Sequence, residues 1–395
     1  MKTSSPSLKY WIFAGLAALL LTPATAQADV GTPLMWATLL HLFIGNLLIG
    51  IFEGYLLAKF FKLPKLRSII LMIIANYVSM WLGGLLLLGW LSSLIPVDLS
   101  SGRWIYPGLI LLSFILTLLM EYPFVCGAFK GVQGKWKKAW KGTLLTQTLS
   151  YIILFGWYGM TSHATLYTEN KVVQLSEMEL PKEVTIYFIS VEDGNVYSGN
   201  LSEQNWQKVY NLDKKDEKTV NCLNVWPSEK NTNLWDLVFC ERDRKGAKIA
   251  EVILKDIAQD ATPSRDSILN NGPYTDPYRQ LYSDAPQIGD AKQSDWYDFR
   301  TGSWSWEGFW GRNKKTNKKV HVSFEIPYGN YWWVRFVTHL PTDKILFQLG
   351  RDQICLYDLN KKQVALVTKG RSPLAVIEKK DQTPVEEDTT QKNDL

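Results

Sequence analysis

Apolar and polar positions change their pattern near residue 160. Before that point, four long apolar stretches at 34–58, 68–94, 104–128 and 142–160 are separated by short hydrophilic connections. A helix rises 1.5 Å per residue, so each stretch can cross about 30 Å of hydrocarbon, and the pattern predicts a bundle of four transmembrane helices. After it, apolar residues come in short alternating runs punctuated by Gly, Asp, Asn and Pro. Strands are expected at 184–190, 195–199, 206–211, 219–225, 235–240, 248–254, 303–310, 319–325, 332–337, 344–349, 353–357 and 363–368. An all-β domain over 184–378 follows, joined to the 29–160 bundle by a polar linker at 161–183. The region 255–295, rich in Asp, Pro and Asn, reads as a long loop. The tail at 379–395 lacks a hydrophobic pattern and reads as disordered.

Two runs in the second half are built alike. One, 344–368, places three strands in succession, the middle one ending in Tyr357-Asp358-Leu359 before a polar turn. The other, 184–199, folds about Asp193-Gly194. Repeated strand–turn–strand units resemble propeller blades, so the β domain is expected to be propeller-like, with a sandwich as the competing architecture.

Charge sets the orientation. The connection after the first stretch carries Lys59, Lys62, Lys65 and Arg67, and the one after the third carries Lys130, Lys135, Lys137, Lys138 and Lys141, with no acidic residue in either. The connection between the second and third is nearly neutral, Asp98 against Arg103. Lys and Arg are retained on the cytoplasmic side, which places the β domain outside the cytoplasm of a bacterial-type inner membrane. Lys2 and Lys9 followed by an apolar core at 10–21 and small residues at Ala24, Ala26 and Ala28 read as a signal peptide over 1–28, with an uncleaved anchor as the alternative. The net charge of +5 is unevenly divided, +8 over residues 1–160 and −3 beyond. The basic balance therefore belongs to the bundle, and a nucleic-acid partner is not indicated.

Polar residues inside the spans supply the candidate chemistry. Asn46, Gly50 and Glu53 share one helix face, as do Asn76, Ser79 and Gly83. Glu121 precedes Pro123 in the third stretch, and the fourth holds Gln147 and Ser150. Glu53, Asn76, Glu121 and Gln147 lie at similar depths from the basic connections and are expected to form one intramembrane polar layer. Its two readings are helix–helix adhesion, helped by the Gly50/Gly54 pair, and an ion or proton path built on the carboxyls. His41 reads as a packing residue. Trp136 and Trp140 among four lysines suit a bilayer's headgroup region.

In the β half, Cys222 and Cys240 fall on neighbouring strands and form a candidate disulfide. Trp304, Trp306, Trp310 and Tyr328, within a dense aromatic stretch, are a candidate binding surface for sugar or peptide. Core packing and docking onto the chain's own bundle are the alternatives. There is no G-x-S-x-G, no H-E-x-x-H, no glycine fingerprint for nucleotides and no metal-ligand spacing, so no catalytic residue, cofactor or metal is assigned. Asp276, Asp284, Asp290, Asp295 and Asp298 read as a solvated loop. The sequence thus points to a membrane-anchored, non-catalytic recognition or assembly factor whose partners are the lipid bilayer and an envelope protein or glycan. A small transporter or channel component is the alternative, and an enzyme acting on envelope carbohydrate comes third.

Overall fold

The computed structural model describes residues 33–377 except 89, 91–93, 96, 163, 213–219, 229–233, 244–245, 259, 262–284, 302–307 and 326–331. The expected signal peptide and tail lie outside these residues, as does much of the 255–295 loop. The chain divides into two units. The first runs to Val172 and takes in the described parts of His321–Trp333; the second holds most of the β structure.

In the first unit, Pro33–Leu40, His41–Gly45 and Asn46–Phe61 follow one another as a single helix, α1, whose middle stretch widens to a π turn. Helix α2 covers Lys65–Val78 and continues in π form over Ser79–Leu88. Helices α3 (Leu99–Ala128) and α4 (Lys135–Thr161) follow, then the single turn α5, Thr165–Thr168. Three stretches are long and apolar enough to cross a membrane: Ala37–Phe61, Lys65–Gly83 and Leu99–Ala128. Helix α4 is less apolar, because lysines fill its first two turns and Thr, Gln, Ser and Tyr interrupt the rest.

Local chemistry sets the helix ends. Asp98 accepts from the Ser100 and Ser101 N–H groups at 3.0 and 2.9 Å, and its own N–H reaches Ser101 Oγ at 3.0 Å. This reciprocal cap satisfies donors that the first turn of α3 would otherwise leave open. Helices α1 and α2 approach closely through Gly50 and Gly54. A Cβ at Gly54 would stand 2.4 Å from the Ile69 Cα, and one at Gly50 would stand 2.6 Å from the Ile73 Cα. Gly54→Ala should therefore lower stability by about 1–3 kcal/mol, as overpacking against backbone does. Gly156 has nothing within 4 Å of its Cβ position. Thermal midpoints in mild detergent should fall for the first variant and hold for Gly156→Ala; equal behaviour would refute the close-packing account.

The N-terminal end of α3 meets a group of rings within the same unit. Tyr106 contacts Phe324 and Trp332 at centroid distances of 4.6 and 5.5 Å, and Tyr167 Oη donates to Leu99 O at 2.9 Å. Gly102 makes room for them: its Cβ would come 2.7 Å from Trp332 Cη2.

The second unit is built on a curled antiparallel sheet. The strands of the whole chain, in order, are β1 (Lys171–Val172, in the first unit), β2 (Val184–Ser190), β3 (Val196–Asn200), β4 (Gln207–Tyr210), β5 (Val220–Pro227), β6 (Trp235–Asp243), β7 (Gly246–Ala258), β8 (Asp260–Ala261), β9 (Trp296–Thr301), β10 (Phe309–Asn313), β11 (Lys319–Val322, divided between the units, as is β10), β12 (Val334–Leu340), β13 (Lys344–Leu349), β14 (Gln353–Asp358) and β15 (Gln363–Ile377). The main path is β12-β13-β14-β15-β2-β3-β4, and β5-β6-β7 and β11-β10-β9 form separate three-stranded sheets.

Strand β15 makes the curl. Its residues Gln363–Lys369 pair with β14, and Gly370–Ile377 pair with β2. Within the half that pairs with β2, a bulge carries Ser372 at φ 54°, and Ser372 Oγ accepts the Leu223 N–H at 2.8 Å. Gly370 allows the bend, since a Cβ there would lie 2.5 Å from Phe188 Cδ2. The bulge re-aims the strand and ties β5 to it.

Every residue of β2 is buried. One face, Val184, Ile186 and Phe188, packs with Leu346, Ile354, Leu356 and Ala375. The other, Tyr187 and Ile189, packs with Leu223, Val225, Leu237 and Phe239 of the β5–β6–β7 sheet. A propeller is thereby corrected. The two runs that resembled separate blades, 184–199 and 344–368, lie in one continuous sheet, because β15 extends to Ile377 and bridges them. The sequence Lys369-Gly370-Arg371-Ser372-Pro373 mimics a turn and hides that continuation.

Candidate functional site

Four helices each contribute polar side chains to the interior of the first unit. Asn46 and Glu53 of α1, Asn76 and Ser79 from α2 and its π extension, Glu121 of α3, and Gln147 and Ser150 of α4 are all buried, Glu53 completely. The outward faces carry the opposite kind of residue. Phe43, Phe60, Leu111, Ile152 and Phe155 are more than half exposed.

Hydrogen bonds join the layer. Asn76 Nδ2 donates to Glu53 Oε2 at 2.6 Å and to Met72 O at 3.0 Å. Gln147 Nε2 donates to Glu53 Oε1 at 3.0 Å and also to Glu121 Oε2. Ser79 Oγ lies 2.7 Å from Glu121 Oε1 and 3.1 Å from Asn76 O. Each of the four carboxyl oxygens thus has a partner on another helix, and Gln147 bridges the two acids. No Lys or Arg lies within any of the four apolar stretches. Toward the other end of α1, His41 Nδ1 meets Tyr158 Oη at 2.6 Å, which makes His41 a link between α1 and α4.

Trp304, Trp306 and Tyr328 lie outside the described residues. Trp310, in β10, is half-buried. Cys222 and Cys240 are directly opposite one another in the β5–β6 register, both buried and neither in a disulfide. A thiol contact from Cys222 holds the Cys240 thiol below its ordinary range. Among the described residues no group of His, Cys, Asp and Glu could hold a metal.

Two polar clusters in the second unit escaped the sequence. Lys344 and Asp358, opposite each other in the β13–β14 register, form a buried ion pair at 2.9 Å. Asp358 Oδ1 also accepts the Asn360 and Lys361 N–H groups at 2.9 and 2.8 Å. Nearby, Asp343 accepts from Ser294 Oγ and from Asn360 Nδ2, with His339 Nε2 at 3.6 Å. His339 Nδ1 meets Gln287 Nε2 at 3.2 Å. Together these residues fasten the 285–294 segment to β12. A Lys heading a strand and an Asp ending one carry no periodic mark of burial, so only the fold reveals the pair.

His339, with Ser294 and Asn360, holds the Asp343 carboxyl at about 2, against an ordinary 3.8. A depressed carboxylate stabilises the fold above its ordinary value and loses that contribution as pH falls through about 4 toward 2. The group is partly open to solvent, so screening limits the contribution to about 1 kcal/mol. Asp343→Asn should remove about that much at pH 7 and flatten the stability profile between pH 4 and 2. An unchanged acid limb in urea titrations would contradict it.

No family model, curated protein or solved structure matches the chain.

Proposed function

We propose that the chain is a multi-pass membrane protein with four spans and a β domain outside the cytoplasm. It works as a non-catalytic recognition or assembly factor whose β domain binds an envelope protein or glycan. The inside-out distribution of the first unit supports the membrane reading, with carboxyls and amides buried and large apolar side chains outward. The basic connections support the orientation. The observation that carries the functional part is that every carboxyl oxygen of the buried polar layer is engaged by a side chain from another helix. A layer closed in this way favours an anchor over a conduit and leaves recognition to the β domain. A reporter active only outside the cytosol, fused beyond position 170, should be active; an inactive fusion, with a cytosol-specific reporter active at the same position, removes the orientation. A photo-crosslinker at Tyr297, which is exposed, should capture an envelope component in intact cells. Adducts identical to those from an unrelated surface position would count against recognition there.

A hydrogen count favours one second reading, proton-coupled transport. Gln147 and Asn76 supply two amide hydrogens each and Ser79 one, yet six contacts lie within hydrogen-bond distance. A proton on Glu121 Oε1, donated to Ser79, would complete the set. Replacing Glu53 and Glu121 by Gln separates the readings. An anchor keeps its cellular function when insertion is normal, whereas a transporter loses it.

A further inference from the structure

The two basic connections are distant in sequence but converge at one end of the bundle. Arg67, at the start of α2, donates through Nη2 to Gly127 O at the end of α3. The rings of Phe61 and Phe129 meet at 5.2 Å, and Tyr122 Oη donates to Trp136 O at 3.3 Å. Leu63, Phe129 and Ala139 share one buried cluster beneath them. The two connections therefore form a single face. Arg67 is committed to holding it together, and eight lysines remain.

Seven of the eight, Lys59, Lys62, Lys65, Lys130, Lys137, Lys138 and Lys141, are exposed, and Lys135 is half-buried beside the Trp136 ring at 4.8 Å. Among the described residues, none has an acidic partner within ion-pair distance. Like charges held this close repel, and an external anion is what relieves them. The surrounding side chains specify the kind of anion. Phe60, Leu66, Trp136 and Trp140 are exposed, and they alternate with the lysines. A free inorganic anion would satisfy the cations and leave those apolar side chains unmatched. A phosphate joined to acyl chains matches both.

Resting on the membrane reading above, we infer that this composite face is a binding site for anionic phospholipid headgroups, built from both connections. Lysines from each side meet the phosphate, and the aromatic and aliphatic residues meet the glycerol and upper acyl region. Binding by the assembled face, and not by one loop, is the new element. Neutralising either loop should weaken it.

The test uses the full chain purified in a neutral detergent and titrated with phosphatidylglycerol or phosphatidylcholine. Phosphatidylglycerol should raise the thermal midpoint by several degrees and phosphatidylcholine should not. The triple variants Lys59→Gln/Lys62→Gln/Lys65→Gln and Lys135→Gln/Lys137→Gln/Lys138→Gln should each reduce apparent affinity for phosphatidylglycerol about tenfold. Equal shifts with both lipids overturn the proposal. So does an effect abolished by one triple variant and untouched by the other, or the same stabilisation by inorganic tripolyphosphate. Release of the chain from membranes by alkaline carbonate overturns the membrane reading and the proposal with it, whereas retention without lipid preference overturns the proposal alone.

Discussion

Lys344→Met is expected to destabilise the β domain by about 3–5 kcal/mol, a large share of the roughly 5–15 kcal/mol that holds a domain together. The substitution keeps the stem's bulk and removes the cation. Asp358 is then left 1% exposed, with backbone N–H groups on one oxygen and no counter-charge on the other. The paired change Lys344→Met/Asp358→Leu removes both charges, so its cost should be well below that of the single variant. It still loses the turn that Asp358 caps. Lys319, exposed at the start of β11, is the control, and its change to Met should move stability by less than about 0.5 kcal/mol. Urea unfolding of the full chain in mild detergent measures all three. If Lys344→Met behaves like Lys319→Met, the buried pair contributes nothing that depends on its charge.

Gln147→Leu should be nearly as costly, at about 2–5 kcal/mol. One amide nitrogen serves both acids, so its loss takes a donor from Glu53 Oε1 and from Glu121 Oε2 at once. Each buried polar atom left without a partner costs about 1–3 kcal/mol. The coupling can be isolated by making the same change where Glu53 and Glu121 are already Leu. There the amide has no acid to bridge, and the penalty should fall below about 1 kcal/mol. Thermal midpoints and protease resistance in detergent report both backgrounds. Equal penalties would show that Gln147 acts through packing alone.

Helices and strands were readable because burial imposes a period on the sequence. In the bundle, polar residues on one face of each apolar stretch identified Glu53, Asn76, Glu121 and Gln147, and the structure brings them into contact. The donor geometry was not readable, since which amide reaches which oxygen depends on how four helices are rotated. The role of Ser79 as a partner for Glu121 emerges only there. In the β half, alternation located most strands but could not give their order. Strand β15 was cut short at its Gly370–Ser372 bend, and this break is what made one sheet look like two blades. Strand β9 was missed because Trp296–Thr301 follows a segment whose Asp and Pro content suggested continued loop. The Asp343 and Lys344 clusters stayed invisible because isolated charged residues next to turns ordinarily face water.

The division of β15 between two neighbours has a bearing on biogenesis. Strand β2 can pair with β3 as soon as both are made, but its other edge waits for residues about 180 positions downstream. During that interval Val184–Ser190, apolar on both sides, presents an open flank to any other extended polypeptide. Such late closure slows maturation and exposes the nascent domain to misassembly. A chaperone that shields extended segments should therefore associate with chains stalled before Gln363 and release those extended past Ile377.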